Sequence, residues 1–537
     1  MNENSAHWLD TLPRQADVLR DYQKAQVEQI AAAMRQGERR ILVQGATGSG
    51  KTHAISAIVL AAFLAGLRVL ILATRTRLVR QLHDRLIEFE CPHGVIANPL
   101  PTLRNYSAPV QIASVDTLHR RAIVNEHVPL PSAAVVIFDE AHLATADTRL
   151  GILDRYPDAL RIGFTATPAR KGGRSLGAAF DVLILGRSIS ELIALGRLVP
   201  LRIFNTPVCT VNELRGVPKD VDGDYQPAAL GELLSKPKLV GNVLENWLRI
   251  AKGKRTLVFA VNKTHGAALL ADFLKAGIAA EMLVDTDDEA EREAVIGRLE
   301  SGQTQVVVNC FLLSYGADIP ALECIVMARP TRSLTMFLQM VGRGLRPSPE
   351  TGKRDCMLID HGHVVETLGL PQSDFPWTLE EGSNVSRAAA ECAKAQAEAM
   401  RTCRECSAIW LTSEQGNACP ECGWKAAPRA KSITTQEADL EEMADEVQVT
   451  PHDPRVVTFY REACGDFAKR KPDKWIARAK SLRWAAWCET RAKFKFAETT
   501  QKPSHYWDLS PFGPSAQVTG WLHHRRIKFA RSRPVPA

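Results

Sequence analysis

The chain has no run long and apolar enough to cross a membrane as a helix. The longest candidate, Ala57 to Ala73, is interrupted by Gly66 and Arg68 where a helix would hand over to a strand. It also falls short of the ~20 residues a span requires, so no membrane role is expected. The opening residues, Met1-Asn-Glu-Asn-Ser-Ala-His7, lack both the basic start and the apolar core of a signal peptide. The twelve cysteines are therefore expected in a reducing, cytoplasmic setting, where paired cysteines act as metal ligands rather than as disulfides. Neither a repeat of the solenoid kind nor a sign of wholesale disorder is visible.

What the chain does have is enough apolar residue, 45% of 537, to build three or four domains of the usual ~100–200 residues. Its net charge of +7 is unevenly spread. Residues 455–537 hold 18 Lys and Arg against 6 Asp and Glu, so this tail carries +12 and the rest of the chain −5. A polyanion is expected to bind there.

Short apolar runs recur, each followed by a turn and a helical pattern. Ile41–Val43, Val69–Ala73, Gln111–Ala113, Val135–Phe138 and Arg161–Phe164 read as strands buried on both faces of a parallel sheet. Thr256–Ala260, Ala279–Val284, Gln305–Val308, Cys324–Met327 and Cys356–Ile359 repeat the pattern. The fold class is α/β, with one sheet domain over 16–200, after an extension over 1–15, and a second over 245–370. Residues 201–244 are expected to be a linker or insert, without an assigned role. Residues 371–400 read as a connecting segment, with an alanine-rich helix from Ser386 to Met400. A cysteine cluster follows over 401–426. Next comes an acidic linker over 427–454, with six acids between Glu437 and Glu446, and then the basic, mainly helical tail.

Gly45-Ala-Thr-Gly-Ser-Gly-Lys-Thr52 follows a strand and opens a helix. Glycines at such spacing let backbone N–H groups face phosphate oxygens; Lys51 reaches the β- and γ-phosphates and the Thr52 hydroxyl ligates Mg²⁺. Thr47, Gly48 and Ser49 complete the cradle between Gly45 and Gly50. A phosphate loop of this form also occurs in small-molecule kinases. Eighty-eight positions after Lys51, the buried run Val135–Phe138 ends in Asp139-Glu-Ala-His142. A carboxylate there, Asp139, suits the Mg²⁺ shell, and Glu140 suits polarisation of the attacking water.

These two segments, together with Gly163-Phe-Thr-Ala-Thr-Pro168 and Gln339-Met-Val-Gly-Arg-Gly-Leu-Arg346, resemble motifs I, II, III and VI of the superfamily II helicases. Thr165–Pro168 is similar to the branch of type III restriction subunits, RecG and UvsW-type phage helicases, whose members commonly act on DNA. The resemblance covers about 16–370 and implies two tandem RecA-like lobes that bind ATP between them. It implies that Arg343 and Arg346 close on the γ-phosphate as arginine fingers, and that Gln23, in Leu19-Arg-Asp-Tyr-Gln23, reads the adenine edge. It implies that Gly316 and Asp318, in Ser314–Pro320, sense nucleotide and strand together, and that Gln339 meets His142 across the cleft, with Thr165 and Thr167 coupling the two events. Thr74, Arg75, Ser114 and Thr117 fall where the family contacts the nucleic-acid backbone.

Cys403-x₂-Cys406 and Cys419-x₂-Cys422, twelve residues apart, suit a closed tetrahedral zinc site better than an iron–sulfur cluster. The segment resembles zinc ribbons, which often touch nucleic acid or partner proteins, and Trp410 and Trp424 are expected to cap its small core. In the tail, Lys469–Lys471 and His523–Arg526 are interleaved with Trp475, Trp484, Trp487, Trp507 and Trp521. This pattern suits phosphate contacts with base stacking, or a small helical core under a basic surface. No nuclease constellation is present, which is similar to phage or prophage helicases in a bacterial or phage-infected cell. The expectation is an ATP-dependent helicase or translocase using Mg²⁺, ATP and zinc, on DNA in preference to RNA, with replication, recombination or repair proteins as partners. An RNA helicase and a non-enzymatic nucleic-acid scaffold are the alternatives.

Overall fold

The structure, a computed structural model, describes residues 8–10, 12–98, 100–143, 147–207, 209, 211–310, 319–396, 399–425, 451–470, 483–491, 493–494, 510–511, 513–515, 517–519 and 521–523. The chain divides into two compact units, Met1–Arg429 and Ala430–Ala537. Among the described residues no helix is long and apolar enough to cross a membrane.

The first unit contains two sheets. Strands β1 (Arg40–Gln44), β2 (Val69–Ala73), β3 (Gly94–Ile96), β4 (Val110–Ser114), β5 (Val135–Asp139), β6 (Leu160–Thr165) and β7 (Val182–Ile184) form a parallel sheet in the order β3-β4-β2-β5-β6-β1-β7. β2 and β5 are buried at every position, because helices cover both faces of a parallel sheet and leave no polar side. The order places β6 between β1 and β5. The loop after β1, the acids that end β5 and Thr165 at the end of β6 therefore emerge side by side at the carboxyl edge, where α/β sheets bind ligands.

The second sheet comprises β8 (Leu201–Asn205), β9 (Thr256–Phe259), β10 (Ala280–Leu283), β11 (Val306–Asn309), β12 (Cys324–Met327), β13 (Cys356–Asp360), β14 (Met400–Thr402) and β15 (Ala408–Leu411). Its order is β10-β11-β9-β12-β13-β8-β15-β14. The two lobes expected from the sequence are thus both α/β with parallel sheets.

Two segments differ from expectation. Residues 201–244 are part of the second lobe: β8 pairs in parallel with β13 from Leu201↔Cys356 to Asn205↔Asp360. The helix Pro237–Ile250 buries Trp247, whose Nε1–H donates to Thr256 Oγ1 at 2.8 Å. Asp224, 3% exposed, accepts from Thr331 Oγ1 and the Arg332 N–H, both at 2.7 Å. The cysteine segment is equally integrated. β15 pairs antiparallel with β8, and β14 with β15, so the segment extends the sheet of the second lobe. Trp410 and Trp424 pack with Phe204, Trp247 and Val258 in one core. The alanine-rich helix runs over Val385–Gln396 and gives way to β14 at Met400. Ahead of it the chain crosses back to the first lobe, where Leu379 O accepts from Ser175 Oγ at 2.6 Å and Asn384 Nδ2 donates to Gly172 O at 2.8 Å.

The second unit holds the helix Pro454–Arg470 and a helical stretch at 483–491. Its core joins Val456, Phe459, Tyr460, Trp487, Val518 and Leu522. The acidic run at 437–446 lies outside the described residues.

Candidate functional site

The phosphate loop leaves β1 and enters the helix Lys51–Leu64. Gly48 and Gly50 adopt φ of +85° and +82°, values that favour glycine. Side chains from the preceding helix, Asp21–Arg35, brace the loop from behind. Gln23 Nε2 donates to Ser49 O at 3.1 Å and Gly50 O at 2.9 Å, and Gln23 Oε1 accepts from the Arg20 N–H. Tyr22 OH donates to Ser49 O at 2.8 Å. Gln23 thus uses its amide on the loop itself in this structure. Tyr22 is a bracing residue that the sequence reading passed over, although it stands within the same quoted run.

Lys51 Nζ donates to Gly45 O at 3.0 Å. Thr52 lines the cavity beside it. The Gly45 N–H donates to Thr165 O at 2.9 Å, which ties the loop to the end of β6. At the end of β5, Asp139 Oδ1 accepts from the Glu140 N–H at 2.9 Å, and Glu140 sits at φ +56°. A positive φ is uncommon for a side-chain-bearing residue and marks a constrained site.

The second lobe meets these groups directly. Gln339 Nε2 lies 3.3 Å from His142 Nε2, so the cross-cleft pair expected from the resemblance is in place. The other imidazole nitrogen, Nδ1, lies 3.2 Å from Thr165 Oγ1 and 3.3 Å from Glu140 Oε2. Thr165 Oγ1 in turn donates to Thr167 O at 3.1 Å. A single buried chain of polar contacts therefore runs from Gln339 of one lobe to Glu140 and Thr167 of the other.

A cavity of about 590 Å³ lies between the lobes. Gln23, Lys51, Asp139 and Glu140 line it from one side, and Arg343 and Arg346 from the other. Burial pushes the Asp139 carboxyl up, and neighbouring Glu140 adds to the shift. Glu140 is held low: burial opposes its charge, but His142, Lys51 and Arg343 outweigh it. Burial lowers Lys51 and, together with Arg77, brings Arg346 down to about 10. The cavity thus gathers buried cations whose own desolvation disfavours them, an arrangement that a polyanion relieves. The donor set fits a nucleoside triphosphate, and Thr52 and Asp139, which line the same cavity, are the residues that could hold its Mg²⁺.

Thr74 and Arg75 follow β2, and Ser114 ends the adjacent β4, in register with Ala73. These candidates come together at one edge of the sheet. Thr117, 7% exposed, faces a polar cavity of about 420 Å³ shared with Arg120 and Arg121. Gly316 and Asp318 lie outside the described residues.

The four Sγ atoms of Cys403, Cys406, Cys419 and Cys422 lie within 4.8 Å of one another. Cys403–Cys422 and Cys406–Cys419 are 3.5 and 3.6 Å apart, without a disulfide. Tetrahedral zinc with Zn–S of ~2.3 Å needs sulfur separations of about 3.8 Å, so the donor set fits that ion. Glu421, inside the second knuckle, forms a bidentate pair with Arg202 of β8. In the second unit Trp487 is fully buried, Trp484 is 48% exposed and Trp521 packs on Phe459 beneath Lys493. The helical-core reading therefore holds for Trp487, and Trp475 and Trp507 lie outside the described residues.

Fold and site together define a P-loop ATPase whose nucleotide cavity is built by two RecA-like lobes. Residues 17–170 match the family described as "Type III restriction enzyme, res subunit", and residues 236–348 the "Helicase conserved C-terminal domain". The chain is 28% identical over 383 residues to the "51.5 kDa protein" of a Lactococcus phage, covering 71% of this chain and 77% of that one. It is 29% identical over 383 residues to the "Putative ATP-dependent helicase IRC3" of Saccharomyces cerevisiae, covering 66% of this chain and 52% of that one, and so spans about half of the yeast relative. A solved fragment of "a putative HsdR subunit of a type I restriction enzyme from Vibrio vulnificus" shares the fold, with TM-score 0.54 and 21% identity over 71% of this chain and 70% of that one. The two lobes thus match the paired helicase domains found in superfamily II, the first of them similar to restriction-enzyme subunits, and the chain is an ATPase of that kind.

Proposed function

We propose that the chain is an ATP-driven helicase or translocase that moves on DNA. The observation that carries this reading is the shared cavity, where Lys51, Asp139 and Glu140 face Arg343 and Arg346 from the opposite lobe. Lys51 holds the β- and γ-phosphates, Asp139 and Thr52 would hold Mg²⁺, which would neutralise phosphate charge there, and Glu140 orients the attacking water. The Glu140 carboxylate, kept ionised by His142, Lys51 and Arg343, accepts the water's proton. Arg343 and Arg346 stabilise the charge spread over the γ-phosphoryl oxygens, a contribution worth roughly 10³–10⁵ in rate. Because the fingers and the water-positioning acid are on different lobes, hydrolysis demands closure and product release permits opening. The polar chain Gln339–His142–Thr165 supports a route by which closure is felt at the strand-facing edge around Thr74, Arg75 and Ser114.

DNA is favoured by the restriction-subunit family match, while the charge of the tail, which we assign to phosphate contacts, suits any nucleic acid. Zinc at the four cysteines would stabilise the second lobe, and the phage relative supports a cytoplasmic setting in an infected bacterial cell. ATPase stimulation by single-stranded, duplex and forked DNA and by structured RNA tests the reading. Stimulation by DNA is expected; stimulation by RNA alone would replace this assignment with an RNA helicase, and no turnover with any ligand would leave only a binding scaffold.

A further inference from the structure

Lys353 stands outside all of these motifs, on the turn that leads from the finger arginines into β13. It is 9% exposed. Its Nζ donates to Gly344 O at 2.7 Å, Arg346 O at 2.8 Å and Pro320 O at 3.0 Å. An ammonium has three donors and no acceptor, and all three are used on main-chain carbonyls. Among the described residues no carboxylate forms an ion pair with it. Burying a charge in this way is costly unless the hydrogen bonds are complete, so the three carbonyls are what hold the ammonium inside.

The location of those carbonyls gives the residue its purpose. The helix Leu334–Gly342 ends immediately before Arg343, and beyond it the chain has no helical ladder to fix its direction. Gly344 O lies one residue past Arg343 and Arg346 O belongs to the second finger itself, while Leu345 O accepts from the Val199 N–H at 2.8 Å. Pro320 lies two residues past Asp318, so the same ammonium joins the finger turn to the segment expected to sense nucleotide and strand.

We propose that Lys353 is a positioning residue for hydrolysis, a three-way clamp that aims Arg343 and Arg346 by fixing the backbone that carries them. The inference rests on the finger reading of those arginines. Lys353→Met keeps the aliphatic stem and removes every donor. It is expected to lower kcat about ten-fold or more while leaving KM for ATP within about three-fold, since the first lobe supplies most of the ground-state phosphate contacts. Lys353→Gln, which retains an amide donor, should fall between Met and wild type, and is the variant read if the Met chain does not accumulate folded.

A double-mutant cycle separates aiming from simple support. If Lys353 acts through the fingers, its replacement should cost much less in an Arg346→Lys background, chosen to leave measurable turnover. Wild-type turnover in both position-353 variants, or an equal cost with and without the Arg346 change, would overturn the proposal. Arg346→Lys alone with undiminished turnover would instead overturn the finger reading, whatever Lys353 does.

Discussion

Gly342 of the second lobe packs directly against Thr47 of the phosphate loop. A Cβ built on it would lie 2.4 Å from Thr47 Cβ, 2.7 Å from Thr47 Cγ2 and 2.8 Å from Thr47 Oγ1. Rotating the threonine moves its methyl and hydroxyl but leaves its Cβ in place. The finger helix and the phosphate loop must therefore part by at least about 1 Å to restore ordinary carbon contacts of ~3.5–4.0 Å. Arg343 is the next residue, so the separation passes straight to the γ-phosphate end of the cavity. A misplacement of about 1 Å costs about 10²-fold in rate, or about 2.7 kcal/mol of barrier. Gly342→Ala is thus expected to lower nucleic-acid-stimulated ATP turnover about a hundred-fold, with affinity for a fluorescent ATP analogue little changed. Alanine also favours a helix over glycine by ~0.5–1 kcal/mol, so the helix itself should be kept and far-UV circular dichroism should match wild type, which separates a closure defect from misfolding. Thr47→Gly in the same chain vacates the opposing Cβ and should recover part of the rate. Gly342→Ala turning over ATP within two-fold of wild type at saturating strand would refute the argument that this contact sets catalytic closure.

Lys51→Ala should reduce hydrolysis by at least about 10², and Glu140→Gln should retain ATP together with bound strand; normal turnover in either contradicts its role. Chelation of zinc, or Cys406→Ser, should release the metal and loosen the pairing Ile409↔Ile203, raising hydrogen exchange over residues 201–205. Unchanged exchange there after metal loss would show that the cysteine site does not support the second sheet. Removing residues 455–537, which carry +12, should weaken DNA binding and flatten its dependence on salt. A slope equal to that of the full chain would take the tail out of the interface.

Much of the site was legible without coordinates, because its chemistry is written in short runs. Gly45–Thr52 and Asp139–His142 each carry their own spacing, and the apolar runs of both sheets announce strands because a doubly covered strand has no polar side. Gln339 and His142, far apart in sequence, could be paired only through the family resemblance. Other features have no local signature. β8 reads as part of a Pro- and Gly-rich linker, since five residues interrupted by Arg202 are too short for a periodicity to stand out, and only β13 and β15 on either side make them a strand. The four cysteines carry the spacing that suits a metal site, but not that their strands extend the second lobe. Lys353 looks like any surface lysine until three carbonyls converge on it, and Gly342 looks like any helix glycine until Thr47 arrives from the other lobe. Sequence alone determined which chemistry the chain carries, because phosphate loops and paired thiols depend on neighbours a few residues away. Which groups face one another depends on packing between segments hundreds of residues apart, and that only the tertiary structure decided.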